Sequence, residues 1–355
     1  MNLIPSHSLQ YSIFLLSSFL CLQACPGQDS SSLYPIVVNS KRGFIDRSGR
    51  VVVPPQYDYA SSFSNGLALV KISETGSGNT VSRYVNRMYI RPDGSVAMEP
   101  DFDECTEFHE GFARVRDDGG LFSGRKWGFI DTAGHVVVEP AFHDIGNFSE
   151  GKAWINEQRR IFIFVFDTKY GFINAEGKTV VPVEFNAAGD FSEGLANVVV
   201  NDKRGFIDSS GSIVIAPVFD HVGAFAEGLA WARLGNTCGF IDRRGTMVID
   251  TLFEDARNFS CGLALAKQDG AWGFIDRRGI FVVAPRFANA LGFTDSLAAV
   301  CVNGRWGFID TEGKIIITPR FDYAWGFHGG LARVEVENRW GYIDREGTYV
   351  WEPTN

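Results

Sequence analysis

The sequence predicts an all-β fold of nine tandem, three-stranded antiparallel meanders. The stretch Trp272-Gly273-Phe274-Ile275-Asp276 recurs as Trp306-Gly307-Phe308-Ile309-Asp310 and as Trp340-Gly341-Tyr342-Ile343-Asp344. Looser copies begin at Gly43, Met88, Gly128, Gly171, Gly205 and Gly239. From Gly171 onward the spacing is 34 residues without slippage, and self-similarity of this length marks a repeat architecture. The composition agrees: 45% hydrophobic and 21% charged residues suit a large core rather than a disordered chain.

Other residues stand at fixed offsets from these nine points. A second Gly follows at +6 in all nine copies, from Gly49 to Gly347. Pro occupies +12 in seven copies, with Val183 and Thr251 in the other two. Phe stands at +20, from Phe63 to Phe327, and Ala at +25, from Ala68 to Ala332, in the eight copies long enough to hold them. Each unit reads as three short strands: a Leu-Ala run such as 195–200, the Gly-Phe-Ile-Asp run, and a Val-rich run such as 213–215. Asp-x-x-Gly joins the last two, because Asp can accept from its own following backbone and Gly takes the positive φ of the turn. Pro at +12 cannot donate to a ladder and ends the Val run. About ten residues of loop are then expected, pinned by Phe at +20.

Both alternate faces of each strand are apolar, so the sheets are expected to stack face to face with their neighbours. One three-stranded unit alone could not bury that surface. The array is expected to span 33–355, starting and stopping on whole units. Tyr34 replaces the +25 Ala only in the first unit, as an end cap without a preceding neighbour would allow. Nine units exceed the usual four to eight propeller blades, which favours an open solenoid or superhelix over the alternative, a closed propeller-like toroid. The residue before the repeat Gly is Trp in four copies (Trp127, Trp272, Trp306, Trp340) and Arg in three. A position that accepts Arg is expected to be half-buried, with Phe at +20 as the better core residue.

Residues 1–25 read as a signal peptide. They hold an apolar run of about twelve, too short to cross a bilayer, and end in Leu22-Gln23-Ala24-Cys25, which is similar to a lipobox. Cys25 is then the expected lipid attachment site, and 26–32 a Ser-rich tether. Gln23 and the lack of basic residues near Met1 depart from that pattern, which leaves plain secretion as an alternative. The expected location is therefore an outer-membrane lipoprotein, or the periplasm or extracellular space. Net charge is −9 with no basic cluster, which argues against a nucleic-acid partner. Cys105, Cys238, Cys261 and Cys301 form no CxxC pair; they read as small buried side chains, and their pairing is left open.

Trp-Gly-Phe-Ile-Asp-x-x-Gly, a Val run with Pro, and the Phe191-Ser192-Glu193-Gly194-Leu195-Ala196 type of ending together resemble the WG (also KWG) repeat of bacterial proteins. The resemblance covers 33–355 and implies a β-rich repeat, often in exported proteins, with no catalytic residues to carry over. Copy two departs at Met88 and Arg91, and copy four at Asn174.

No HExxH, GxSxG, P-loop or dinucleotide fingerprint is present, so no catalytic, cofactor or metal residue is named. The ladder Asp208, Asp242, Asp276, Asp310, Asp344 is accounted for by turn formation without calcium. The expectation is a non-catalytic binding or scaffold repeat protein of the bacterial cell envelope, mediating protein–protein contacts and touching the membrane only through a lipid anchor. The alternative is a saccharide- or peptidoglycan-binding protein using the aromatic repeat positions. Three early units are longer in one segment: 22 residues from Gly66 to Met88, 17 from Gly111 to Gly128 and 20 from Gly151 to Gly171, against 11 in regular units. All three extend the same loop, and equivalent loops of a stacked array lie along one rim. The candidate partner-binding residues there are Arg83, Tyr84, Arg87, Phe122, Arg125, Arg159, Arg160, Phe162 and Phe164, of the types that contact sites favour.

Overall fold

A computed structural model describes residues 33–74, 83–119, 124–162 and 165–354. It contains nine antiparallel sheets, one for each repeat. Seven of them have four strands rather than three. In blade 5 these are Ala187–Ser192, Leu195–Val200, Lys203–Asp208 and Ile213–Phe219, paired in that order. The last three are the expected Leu-Ala, Gly-Phe and Val strands. The first, an inner strand, is the segment expected to be loop. Its composition, Ala-Ala-Gly-Asp, has little strand propensity, and it pairs because the Leu-Ala strand presents an open edge. Phe at +20 therefore belongs to the following blade, within its inner strand at Phe108, Phe191, Phe259 and Phe327 and outside any strand in the other four copies. In blade 4 the inner strand shrinks to two isolated bridges, Ile145↔Ile155 and Ser149↔Lys152. Blade 1 comprises Tyr34–Val38, Lys41–Ile45 and Val51–Tyr57 among the described residues.

The sheets pack face to face, as expected. Phe at +1 of one blade meets Phe at +20 of the next in seven junctions, from Phe44–Phe63 to Phe308–Phe327, and Tyr89–Phe108 makes the eighth. Ring centroids are 4.6 Å apart at Phe129–Phe148 and 5.0 Å at Phe240–Phe259, the range of favourable tilted and edge contacts. The Ala at +25 is at most 1% exposed in every copy, leaving room for those rings. The Val strands lie on the outer circumference, where Leu252 is 70% exposed.

The array closes on itself as a nine-bladed propeller, which overturns the open solenoid. Gly at +6 touches the Val strand of the preceding blade throughout: Gly211 meets Val181 and Gly245 meets Ile215. For Gly49 in blade 1, the residue met is Val350 of blade 9. Tyr34 is therefore no end cap. Its ring lies 5.5 Å from that of Tyr342, and the two fill the place of the aromatic pair at the seam. The Tyr34 hydroxyl donates to His328 O and Gly329 O, and the Tyr342 hydroxyl to Pro35 O at 2.9 Å. Thr354 Oγ1 donates to Val37 O. Tyr34, Ile36 and Ile45 share a buried cluster with Leu331 and Tyr342. The expected count of four to eight blades was no barrier, because the seam needs only one more copy of the same contact.

The repeat Gly has a steric reason. Register jumps from Phe206↔Ile215 to Arg204↔Phe219, so the Val strand bulges and crosses over the Gly-Phe strand on its way to the next blade. A Cβ on Gly205 would lie 2.3 Å from Ile215 O, and on Gly128 2.3 Å from Val138 O. Blade 2, with Met88 at this point, has a Val strand of only Val96–Met98 and no such crossing pair.

Two-residue turns join inner and Leu-Ala strands, with positive φ at both positions: Asn65 and Gly66, Glu193 and Gly194. Glu in this conformation costs roughly 1–2 kcal/mol. Its carboxylate offsets that by accepting the N–H of the next blade's turn Gly: Glu150 from Gly194 at 2.8 Å, Glu193 from Gly228 at 2.9 Å. The neighbouring Ser hydroxyl donates to the next blade's Phe carbonyl, as Ser192 does to Phe225 O at 2.7 Å.

The Asp ladder forms turns, as expected. Asp208 Oδ1 accepts from the N–H of Ser210 and of Ser212. Cys105, Cys238 and Cys301 are buried free thiols, so the four cysteines form no disulfide among themselves.

Substituting Gly205 by Ala should cost about 3 kcal/mol in urea unfolding, since backbone must shift to admit the methyl. The control, Gly292→Ala, meets nothing within 4 Å and should change stability by less than about 0.5 kcal/mol. Equal effects at both sites would refute the crossing as the cause.

Acid should loosen the ring through its turn and junction carboxylates. Asp46 is held down to about 2, first by the Ser48 hydroxyl and then by the Arg50 N–H. Asp58 is held down to about 2 by Lys41 and by the Ser73 N–H, a tie between blades 1 and 2. A depressed folded value stabilises above the unfolded carboxylate range, about 3.9, and that contribution is lost as pH falls through the folded value. The melting temperature should stay level from pH 7 to about 5 and drop between about 4 and 2. Asp58→Asn should flatten part of that drop.

Candidate functional site

The three long segments extend one hairpin, between the Leu-Ala and Gly-Phe strands, in blades 2, 3 and 4. Blade 5 closes this hairpin with the two residues Asn201 and Asp202. In blade 4 the ladder continues instead through Lys152–Phe162 and Val165–Asn174. In blade 2 it runs through Ala68–Glu74 and Arg83–Ile90. Because every blade has the same strand order, the three hairpins leave adjacent blades at the same end.

The candidate residues fall into three groups. Arg125 is exposed and pairs with Asp118 at 3.6 Å, beside the tighter pair of Arg116 with Asp118 at 2.7 Å. Arg87 is half-buried and turned inward: its Nη1 donates to Phe102 O, and its Nε is buried without a partner among the described residues. It serves packing rather than outward contact. Arg83, Tyr84, Arg159, Arg160 and Phe162 lie in the hairpin strands, but their side chains fall outside what is described. Phe122, Phe164 and Cys25 lie outside the described residues altogether.

On the axial side of blades 2 and 3 runs a recess of about 380 Å³ that the sequence reading missed, lined by Tyr59, Lys71, Glu104, Glu107, His109 and Arg114. Lys71 pairs with Glu104 across the blade junction and lies over the Tyr59 ring. Arg114 donates to Ile145 O at 3.0 Å, and burial lowers its pKa. Asp190, two blades on, is raised by burial and partly restored by Trp154, Arg114 and His109. The only available signal was the unusual inner-strand sequence Glu104 to Glu107 in place of Ala and Gly.

The Trp set does not form a row of open platforms. Trp306 is 5% and Trp272 9% exposed, deeper than expected, while Trp127 and Trp340 are half-buried. Trp306 packs on Tyr323, and Arg257 covers Trp272. Arg is accepted at this position because it stacks as indole does: Arg42 lies over Tyr59 and donates to Ala60 O.

These surfaces mix charge with aromatic area. Among the described residues no three potential metal ligands come together. Burial pushes the Cys105 thiol beside the axial recess up to about 12, so it is no thiolate nucleophile.

A solved structure of a eukaryotic initiation factor is similar over 90% of this chain and 94% of its own, with 12% identity and a TM-score of 0.60. The likeness is one of fold and runs around the whole ring. AztD from Citrobacter koseri is similar over 90% of this chain and 92% of its own, with 11% identity and a TM-score of 0.43. No curated protein matches the chain in sequence. The pattern of the WG containing repeat matches eight times, at 43–74, 88–120, 127–158, 170–203, 205–238, 239–270, 272–306 and 306–340. The chain belongs to the family of WG-repeat proteins.

Proposed function

We propose that this propeller is a non-catalytic binding scaffold that holds another protein on the hairpins of blades 2–4. The observation that carries the reading is that three consecutive blades lengthen the same hairpin at the same end of a closed, rigid ring. A ring of nine similar junctions fixes the hairpin bases, and a partner then meets one contiguous surface with little ordering of the scaffold on binding. Arg125 and the Arg116–Asp118 pair supply polar contacts at the hairpin base of blade 3. The setting is the bacterial envelope, with export directed by 1–25 and a lipid on Cys25 as the anchor. The apolar run of about twelve residues and the Leu22-Gln23-Ala24-Cys25 ending support that reading.

Shortening the three hairpins to the two-residue turn of blade 5 should leave melting within about 3 °C of the unaltered chain and abolish partner capture in cellular cross-linking with mass spectrometry. Full capture by the trimmed chain would remove the hairpins from the site.

Cys25→Ala should move the protein from the membrane fraction to the soluble one and end incorporation of labelled fatty acid. Unchanged fractionation would exclude the anchor.

A further inference from the structure

Where the other blades place an inner strand, blade 1 has, among the described residues, a recess of about 420 Å³ at the seam with blade 9. Its walls include Tyr34, Phe63, Trp325, Leu331 and Tyr342, and the one permanently charged side chain lining it is Arg333. Phe63 records the consequence. The +20 Phe is at most 3% exposed in the other seven copies, whereas Phe63 is only half-buried. In the sequence, Asp29 rather than Phe stands at the corresponding offset before Leu33.

The recess is not built to accept a strand. The inner edge of Tyr34–Val38 carries Pro35, which has no N–H to offer, and the Pro35 and Val37 carbonyls already accept from Tyr342 and Thr354. What remains is a cavity with aromatic walls, of a size that suits a compact ligand. The Arg333 guanidinium is wedged in the angle between two indoles, 3.7 Å from the Trp325 ring centre and 4.3 Å from that of Trp340. Its charge lies against both indole rings, which accept no N–H···O hydrogen bond, so its N–H donors remain available to an anion. Among the described residues no acceptor takes a hydrogen bond from it and no carboxylate forms an ion pair with it; Glu335 attracts it from farther off, and Arg42 of blade 1 repels it. A half-buried cation with aromatic neighbours and no anion in contact has an open place for one.

We infer that the seam recess binds a small aromatic carboxylate, with its ring between Phe63, Tyr34 and Trp325 and its carboxylate on the Arg333 guanidinium. This site is separate from the hairpins and does not depend on the partner reading. Binding there would further stabilise the closed ring, because Tyr34, Leu331 and Tyr342 belong to both the recess and the seam cluster.

Calorimetric titration of the full chain with 2-naphthoate and with its neutral analogue 2-naphthamide tests this. Naphthoate should bind with a Kd on the order of 0.1–1 mM, and the amide at least about tenfold more weakly. Arg333→Gln should weaken naphthoate about tenfold and leave the amide unchanged, and Arg333→Lys should recover part of the loss. If the Gln variant does not fold by circular dichroism, the comparison of the two probes on the unaltered chain still decides. Equal affinity for both probes, an unchanged Kd in a folded Arg333→Gln variant, or no saturable binding up to about 5 mM would each overturn the proposal. The last outcome would mean that something else, such as the chain preceding Leu33, fills the recess.

Discussion

Each blade hands the chain to the next by passing its Val strand over the bare backbone of the repeat Gly. That close crossing organises the rest of the fold. It forces the bulge that breaks the register between Phe206 and Arg204, and it delivers the chain directly to the inner edge of the following sheet. There residues such as Ala187 to Asp190 become an inner strand with little intrinsic preference for one. The Phe at +20 follows on the same segment and meets the Phe at +1 that the crossing left behind, as Phe191 meets Phe172. Gly here answers a steric demand rather than a need for unusual φ, unlike the Gly at +6, which takes positive φ and also receives the preceding blade.

Ring closure then follows from repetition, with polar contacts setting the tolerance. Apolar stacking between sheets is non-directional and would permit a range of blade angles. The Glu-to-Gly and Ser-to-Phe hydrogen bonds are directional and recur near the inner turns, so they narrow that range at each junction. At the seam, where among the described residues no connecting segment joins blade 9 to blade 1, two Tyr hydroxyls and Thr354 supply the directional contacts. At the same seam blade 1 has, among the described residues, no inner strand, so the site of closure and the aromatic recess coincide.

The surfaces available for binding are the departures from the repeat. Residues that obey the repeat are consumed by junctions, including the Trp set, of which Trp272 and Trp306 are buried more deeply than the half-buried position expected. The long hairpins of blades 2–4, the charged inner strand of blade 3 and the seam are the places where the rule is broken. The hairpins were visible in the sequence because an insertion changes a spacing. The recess beside Glu104 and Arg114 was not, because inner-strand residues were read as loop. The recess beside Arg333 was not, because its walls come from blades at opposite ends of the chain, with Phe63 and Arg333 some 270 residues apart.

The sequence by itself determined the number of units, their antiparallel order, the Asp-x-x-Gly turns and the aromatic and Ala positions of the core. Each of these depends on residues within one period, where fixed offsets report contact directly. Tertiary structure alone decided that the loop is a fourth strand, how Arg and Trp are held at one shared position, and that the array is a ring. The first depends on an edge offered by a neighbouring strand, and the second on stacking, which guanidinium and indole perform alike. Closure depends on a small angle summed over nine junctions, which no single repeat encodes. Only Tyr34 and Tyr342, the two places where the seam altered the repeat, carried a trace of it.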